Sequence, residues 1–347
     1  MTLFGVHVGL QHTTPDELRT VWQRVEDLGF GWISVWDHFY GATGRPDDAA
    51  CLEAVSMHAA LACATSRVRC GSLVYSVGYR HPAVLAKAIT AIDLLSGGRA
   101  EIGIGAGWAK VEYDAYGIDF PSAKTRLDQL EEGVQCLRGL LHDDIADFDG
   151  THFTLTNARN EPRPVQAKLP IWIGGGGEKR TLKIAAQYAD GWNVPFIGPD
   201  VFAHKRSVLH GFCDSVGRDP SQIRCAINVG IASDEANLRQ QFGAISDLVR
   251  PGVLTGTDDE ILDHPVAHRH HRLRREVRTL DYHLFTALEL EDEHVRGRQR
   301  ERALFAACLG ARARQVIAHR LHRLVLAHHA RVQGVLHLQQ FLALAFE

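Results

Sequence analysis

A short apolar run followed by a longer amphipathic stretch recurs seven times between residue 1 and about residue 260. The apolar runs lie at residues 4–10, 32–38, 68–76, 99–107, 170–176, 190–195 and 223–232. Strands that alternate with helices pair in parallel, because each helix returns the chain to the same end of the sheet. Seven such units at a spacing of roughly 30 residues favour an α/β fold of the TIM-like (β/α)8 barrel type over an open, doubly wound sheet.

The amphipathic stretches carry helix start and stop signals. Thr14 and Pro15 open the first stretch, and Gly97 ends the third. The pattern predicts helices at residues 14–29, 48–64, 81–98, 124–141, 178–189, 199–216 and 235–248. Residues 147–170 interrupt the alternation, and their sequence predicts a β-hairpin with a proline-rich return before the fifth strand.

The eighth unit does not follow this pattern. Residues 252–261 contain a helix start, but no glycine-punctuated apolar strand follows them. Residues 1–261 contain 24 Lys and Arg against 32 Asp and Glu, whereas residues 262–347 contain 14 Arg, no Lys and 9 acidic residues. We therefore predict a barrel over residues 1–261 and an atypical Arg/His-rich helical tail over 262–347, in which the eighth unit is missing or replaced. A shifted reading frame or unrelated DNA would explain such a tail.

Composition favours a cytoplasmic enzyme. Of the 347 residues 45% are apolar and 23% are charged, as in ordinary globular proteins. No basic segment followed by an apolar one opens the chain, and no apolar run approaches the roughly 18 residues of a membrane span. The seven cysteines contain no C-x-x-C pair and are typical of buried thiols in a reducing compartment. Neither a membrane nor a nucleic acid is an expected partner.

Candidate functional residues follow the predicted strands, since barrel active sites form at the carboxyl ends of the strands. Asp37 and His38 follow the second strand, where a carboxylate beside an imidazole either exchanges protons or forms a structural hydrogen-bonded pair. Gly103 and Gly105 in the fourth strand leave space for a neighbouring element or a ligand. Trp108 at its exit is either a core residue or an aromatic wall of the site.

Four consecutive glycines, Gly174 to Gly177, follow the fifth strand and precede Glu178 in a predicted helix start. Amide groups at a helix N-terminus attract anions, and glycines let a phosphate approach them. A tight turn needs only one or two glycines, so the pattern favours phosphate binding over a turn.

These segments together resemble the luciferase-like monooxygenase superfamily, and most of all its branch of F420-dependent oxidoreductases. The resemblance is carried by residues 32–39, 71–108, 115–141 and 170–193, and it covers residues 1–261. It implies a TIM-like barrel that binds a flavin or the deazaflavin coenzyme F420 at the carboxyl ends of the strands. Sugar-phosphate dehydrogenase relatives carry a catalytic glutamate where this chain has Trp108, so their substrate is not transferred to it.

The resemblance also implies site residues. His38 and Asp37 are expected to be catalytic, with His38 near the reacting face of the ring as proton donor or acceptor. Ser72-Leu73 is expected to form a non-prolyl cis peptide that backs the ring. The implied cofactor-binding residues are Asp37, Ser72, Leu73, Ala106, Gly107, Trp108, Gly174, Gly175, Gly176, Gly177 and Glu178.

The implied activity is hydride transfer between F420 and a small organic substrate. One alternative is a monooxygenase dependent on reduced FMN, which needs a separate flavin reductase as partner. Another is an inactive or unstable barrel, because a missing eighth strand leaves two sheet edges open. Members of the family often form homodimers. No metal site is predicted, because His268, His270 and His271 lack a carboxylate or cysteine partner at clear spacing.

Overall fold

Parallel strands form the wall of the fold in the computed structural model, which describes residues 5–41, 50–257, 285–289 and 340–344. All of these lie in one of the two compact units of the chain. The strands up to residue 257 are β1 (Gly5–Val8), β2 (Trp32–Val35), β3 (Arg69–Ser72), β4 (Tyr75–Ser76), β5 (Ile102–Gly105), β6 (Ala146–Asp149), β7 (Thr154–Ala158), β8 (Ile171–Gly174), β9 (Gly191–Pro195), β10 (Arg224–Ala232) and β11 (Val253–Thr255).

The strands follow one another around the sheet in chain order. β1, β2 and β3 pair in parallel, as do β4, β5, β8, β9 and β10. The chain runs from β3 into β4 within three residues, and a parallel bridge joins Cys70 to Ala100. The α/β fold with a parallel sheet is therefore confirmed. The short β11 pairs in parallel with the end of β10.

Two short strands of the C-terminal segment are described, β12 (Phe285–Glu289) and β13 (Gln340–Leu344). Both pair with β10 in antiparallel orientation, and β13 also pairs antiparallel with β1. An antiparallel strand therefore lies between β1 and β10, where a regular barrel has its parallel eighth strand. The predicted helical character of the rest of residues 262–347 falls outside the described residues, as do His268, His270 and His271.

Helices cover the outside of the sheet. They are α1 (Pro15–Asp27), α2 (Ala54–Ala64), α3 (Pro82–Ser96), α4 (Lys110–Tyr116), α5 (Ala123–His142), α6 (Thr181–Tyr188), α7 (Pro199–Ser215), α8 (Glu235–Phe242) and α9 (Ser246–Val249). Thr14 and Glu17 form a capping box at the start of α1, and Gly97 ends α3 in the left-handed conformation, as their sequences predict. Within the described residues, no helix has both the length and the apolarity to cross a membrane.

Three predicted helix boundaries are wrong. α2 begins at Ala54 rather than residue 48, because the Glu53 carboxylate caps it by accepting from the N–H groups of Val55 and Ser56. α6 begins at Thr181 rather than residue 178, after a turn. α8 ends before Gly243, whose φ of 54° breaks the predicted helix 235–248. The predicted hairpin is confirmed by β6 and β7.

A buried ionic cluster joins the strands at their amino ends. The fully buried Glu101 carboxylate, just before β5, accepts hydrogen bonds from Arg69 of β3, Arg224 of β10 and the indole N–H of Trp172 of β8. Burial alone would raise the pKa of Glu101, but Arg224 and Arg69 outweigh it and hold the pKa below its usual range. The cluster therefore lies at the opposite end of the strands from the expected active site.

Candidate functional site

A cavity of about 470 Å³ opens at the carboxyl ends of the strands. This volume is in the range of small-molecule and cofactor sites. Its lining comes from the ends of most barrel strands and the loops that follow them: His7, Trp36, Asp37, His38, Leu73, Val74, Tyr75, Ser76, Tyr79, Gly105, Ala106, Gly107, Trp108, Ala109, Gly174, Gly175, Thr181, Asn193, Pro195, Phe196, Asn228, Phe242, Ile245, Leu248 and Val249. The cavity has the location that the strand–helix repeat predicts for an active site.

The segment between β3 and β4 contains a cis peptide bond, but it joins Leu73 to Val74 and not Ser72 to Leu73 as predicted. Leu73 and Val74 line the cavity. Ser72 is not among the lining residues, because its hydroxyl bridges to β5, accepting from the Gly103 N–H and donating to the Gly103 carbonyl. The prediction that Ser72 contacts a cofactor is therefore not supported by its position.

Three glycines seat the Val74 side chain. A Cβ atom at Gly103, Gly105 or Gly174 would lie 2.9, 2.8 or 2.7 Å from a Val74 methyl group, closer than real Cβ contacts. The sequence leaves open whether Gly103 and Gly105 make room for a neighbouring element or for a ligand. The contacts with Val74 show that they make room for a neighbouring element. Val74 is fixed by this packing as one wall of the cavity.

The Asp37 carboxylate organises the loop after β4. It accepts a hydrogen bond of 2.9 Å from the Ser76 N–H and one of 2.7 Å from the Arg80 guanidinium, which also pairs with Glu53. Burial raises the pKa of Asp37, and Arg80 opposes this effect. Asp37 lines the cavity, but both of these hydrogen bonds hold the polypeptide in place. Its catalytic and cofactor-binding roles stay predictions.

The His38 ring is held between two indoles. Its centroid lies 5.1 Å from that of Trp36 and 5.4 Å from that of Trp108, edge to face in both cases. Trp108 is 63% exposed, so it is an aromatic wall of the cavity and not a core residue. On the other side, Nδ1 of His38 lies 2.9 Å from the Glu112 carboxylate.

Glu112 is a site residue that the sequence reasoning missed. It lies on α4 and is 2% exposed, and its carboxylate also accepts from the Tyr79 hydroxyl and the Tyr40 N–H. Burial alone would raise the pKa of Glu112, but the hydrogen bonds of His38, Tyr79 and Tyr40 outweigh it and lower the pKa. Glu112 is therefore ionised near neutral pH. Its separation of 74 residues from His38 explains why no local signal reveals the pair.

A second polar pair lies beside the first. The hydroxyls of Ser76 and Tyr113 are hydrogen-bonded to each other, and both face the backbone of Gly107. Gly107 has a φ of 75°, and a Cβ atom there would lie 2.3 Å from the Tyr113 hydroxyl oxygen. Gly107 and Ala106 line the cavity, and their binding of a cofactor stays a prediction.

The four-glycine loop has local structural roles that the sequence did not reveal. Gly174 makes room for Val74, and Gly175 has a φ of 124° and donates its N–H to the Asn193 carbonyl. One of the four amides expected to bind phosphate is therefore already bonded within the protein. Gly174 and Gly175 line the cavity, whereas Gly176, Gly177 and Glu178 are not among its lining residues.

Lys205, another residue that sequence reasoning missed, lies behind this loop. Its ammonium group donates 2.8 Å to the Gly176 carbonyl and 2.9 Å to the Glu178 carboxylate. Glu178 therefore balances a cation beside the loop. The role of this region in binding phosphate stays a prediction.

The floor of the cavity carries polar side chains, and most of their polar atoms are hydrogen-bonded within the protein. Nδ1 of His7 lies 2.7 Å from the Ser34 hydroxyl, and the side-chain amide of Asn193 donates a hydrogen bond of 2.8 Å to the side-chain oxygen Oδ1 of Asn228. Burial, helped by the nearby His38, lowers the pKa of His7 to about 3. His7 is therefore neutral at physiological pH.

The comparisons with known proteins agree with this architecture. The family model for the luciferase-like monooxygenases matches residues 1–325. The F420-dependent glucose-6-phosphate dehydrogenase of Amycolatopsis mediterranei (strain U-32) is 31% identical over 55% of this chain and 57% of its own. The pyrimidine monooxygenase RutA of Caulobacter sp. (strain K31) is 31% identical over 53% of this chain and 52% of its own.

Among solved structures, an F420-dependent secondary alcohol dehydrogenase in complex with an F420-acetone adduct is similar, with a TM-score of 0.69 and 21% identity over 80% of this chain and 90% of that one. At this identity the likeness shows the fold. The chain spans slightly more than half the length of the two curated relatives. The match of the family model over most of the sequence is decisive, and the chain belongs to the luciferase-like monooxygenase family.

Proposed function

We propose that the protein is an oxidoreductase that uses coenzyme F420 for hydride transfer to or from a small organic substrate. The observation that carries the proposal is the position of His38, a titratable ring in the wall of a cavity at the carboxyl ends of the strands. The names of relatives that are F420-dependent dehydrogenases support the choice of cofactor.

The cavity fits a flat polycyclic ring. Val74 forms one wall, and Ala106 and Gly107 line the cavity with no large side chain of their own. When bound, F420 exchanges a hydride at C5 of its deazaflavin ring. In this proposal the chain holds the ring against Leu73 and Val74, and His38 gives or takes a proton beside the substrate.

The region around the cavity mouth is apolar. Trp108 and Leu248 are exposed there, and Phe196, Phe242 and Ile245 continue the same lining. Such a surface favours an uncharged organic substrate. Sugar-phosphate dehydrogenase relatives carry a glutamate at the position of Trp108. The tryptophan of this chain therefore also supports an uncharged substrate.

A reduced-FMN monooxygenase acting with a separate flavin reductase is the second candidate, because RutA is among the relatives at comparable identity. Fluorescence titration of the full-length protein with F420 and with FMN separates the two. We expect F420 to bind more tightly. Tight binding of FMN with none of F420 would replace the proposal with the monooxygenase, and binding of neither would favour an inactive barrel.

A matched pair of lysine variants tests the phosphate end of the site. We expect Lys205→Ala to weaken cofactor binding roughly 10-fold, as the loss of one charged hydrogen bond does. Lys183→Ala, on the exposed face of α6, is the control and should leave the dissociation constant within about twofold. Equal constants for the two variants would remove Lys205 from the site.

A further inference from the structure

The hydrogen bond between His38 and Glu112 has a defined donor and a defined acceptor. Glu112 is ionised near neutral pH, and an ionised carboxylate can only accept hydrogen bonds. The 2.9 Å contact with Nδ1 of His38 is therefore an N–H donated by the imidazole. In the neutral ring the proton is then on Nδ1, and Nε2 is left with a lone pair.

Glu112 is itself held in place. It is buried, and its two oxygens are fixed by the Tyr79 hydroxyl and the Tyr40 N–H. Tyr79 stacks on Phe39 with ring centroids 4.4 Å apart and packs on Tyr113 at 4.6 Å. A carboxylate with its hydrogen-bonding partners arranged in this way cannot turn away from His38 without losing two further bonds.

The indoles restrict the imidazole from the other directions. Trp36 and Trp108 meet its ring at interplanar angles of 78° and 68°. A 180° rotation about the Cβ–Cγ bond would put Cδ2 in the place of Nδ1, break the bond to Glu112 and leave a buried carboxylate with one donor fewer.

We propose that Glu112 is the positioning residue of the site, which fixes the Nδ1–H tautomer of His38 so that Nε2 serves the substrate as proton acceptor or, once protonated, as donor. The proposal rests on the proposed function for the use of Nε2. The fixed tautomer itself does not depend on any cofactor. Glu112 acts through His38 and touches neither cofactor nor substrate in this scheme.

The direct test is the tautomer of His38 in the full-length protein without cofactor. In protein labelled with ¹⁵N-histidine, the ring signals of His38 are assigned by their loss in His38→Gln. We expect the neutral ring of the wild type to be protonated on Nδ1 and unprotonated on Nε2. A wild-type ring protonated on Nε2 overturns the proposal.

Glu112→Gln keeps the size of the side chain but replaces one acceptor oxygen by a donor. We expect its His38 to change to a mixture of tautomers or to the Nε2–H form. Glu53→Gln is the matched control, since the Glu53 carboxylate accepts from the neighbouring Arg80 and from the first N–H groups of α2. Its His38 should keep the wild-type signals, and an unchanged tautomer in Glu112→Gln contradicts the proposal.

Kinetics separate positioning from folding. We expect Glu112→Gln to lower kcat roughly 10- to 100-fold, part of the usual contribution of general acid–base catalysis, with KM and the cofactor dissociation constant changed less than about threefold. Tyr79→Phe keeps the carboxylate and should lower kcat less. A fall in kcat that is equal in both variants, or confined to KM, overturns the positioning role. Failure of the wild type to bind any cofactor refutes the proposed function and leaves the tautomer result intact.

Discussion

At the scale of single residues, the site depends on side chains that pack against glycines. Gly107 faces the hydroxyls of Ser76 and Tyr113, and Gly103, Gly105 and Gly174 surround Val74. Both sets fix loops that line the cavity. Glycine is required at these positions by the packing of the protein itself.

We expect Gly107→Ala to lower the free energy of unfolding by about 3 kcal/mol. Roughly 1 kcal/mol comes from the left-handed conformation and the rest from the clash with Tyr113 and Ser76. Gly117→Ala isolates the first contribution, because Gly117 has a similar φ of 65° and no atom within 4 Å of the added Cβ. Urea unfolding of both variants measures the difference, and equal losses would mean that Tyr113 moves aside freely.

At the scale of elements, the two ends of the barrel differ in their chemistry. The carboxyl ends carry the cavity, and the amino ends carry the Glu101 cluster that ties β3, β8 and β10 together. The Glu101 cluster stabilises the arrangement of strands from the end that the proposed chemistry does not use. Substitutions there are expected to change stability more than activity.

Glu101→Gln tests this division. Removing the charge leaves Arg69 and Arg224 without their shared counter-ion, and breaking a buried pair costs about 3–5 kcal/mol. Glu131→Gln removes one of the two carboxylate partners of Arg180, the other being Asp128, and should cost less than about 1 kcal/mol. The measurement is chemical denaturation at pH 7. If both variants lose the same stability, Glu101 does not hold the strands together.

The order of the elements could be predicted from the sequence because local sequence patterns indicate each element. The strand–helix alternation, the caps at Thr14 and Gly97 and the hairpin before β8 were all visible in short windows. The cis bond lies one residue later than the resemblance implies, between Leu73 and Val74. Glu112 was missed because it reaches His38 only when the barrel brings residues 74 positions apart into contact.

At the scale of the whole molecule, two histidines in the described part of the chain, His7 and His58, are buried in neutral form. Burial lowers the pKa of His7 to about 3 and that of His58 to about 4, from an ordinary value near 6.5. Each group binds its proton in the unfolded chain before it does so in the folded one. The stability that they contribute is complete above pH 6.5 and is lost as the pH falls towards their folded pKa values.

We expect the free energy of unfolding to be nearly constant between pH 7.5 and 8 and to fall by about 4 kcal/mol between pH 7.5 and 5. Each histidine contributes about 2 kcal/mol to this loss. The reason is that pH 5 lies about 1.5 units below the ordinary pKa, and each unit corresponds to about 1.36 kcal/mol. Urea titrations at the three pH values measure it. His58→Gln should reduce the loss by about half, and a loss that stays the same would show that His58 is not the titrating group.

Trp108 gives the molecule an optical reporter of its own. The other five tryptophans, Trp22, Trp32, Trp36, Trp172 and Trp192, are each at most 5% exposed, whereas Trp108 is 63% exposed. Iodide, a quencher that acts by collision, therefore reaches one indole in six, and that indole stands beside His38. The fraction of emission that iodide can quench reports directly whether the mouth is open or covered, with no label attached to the protein.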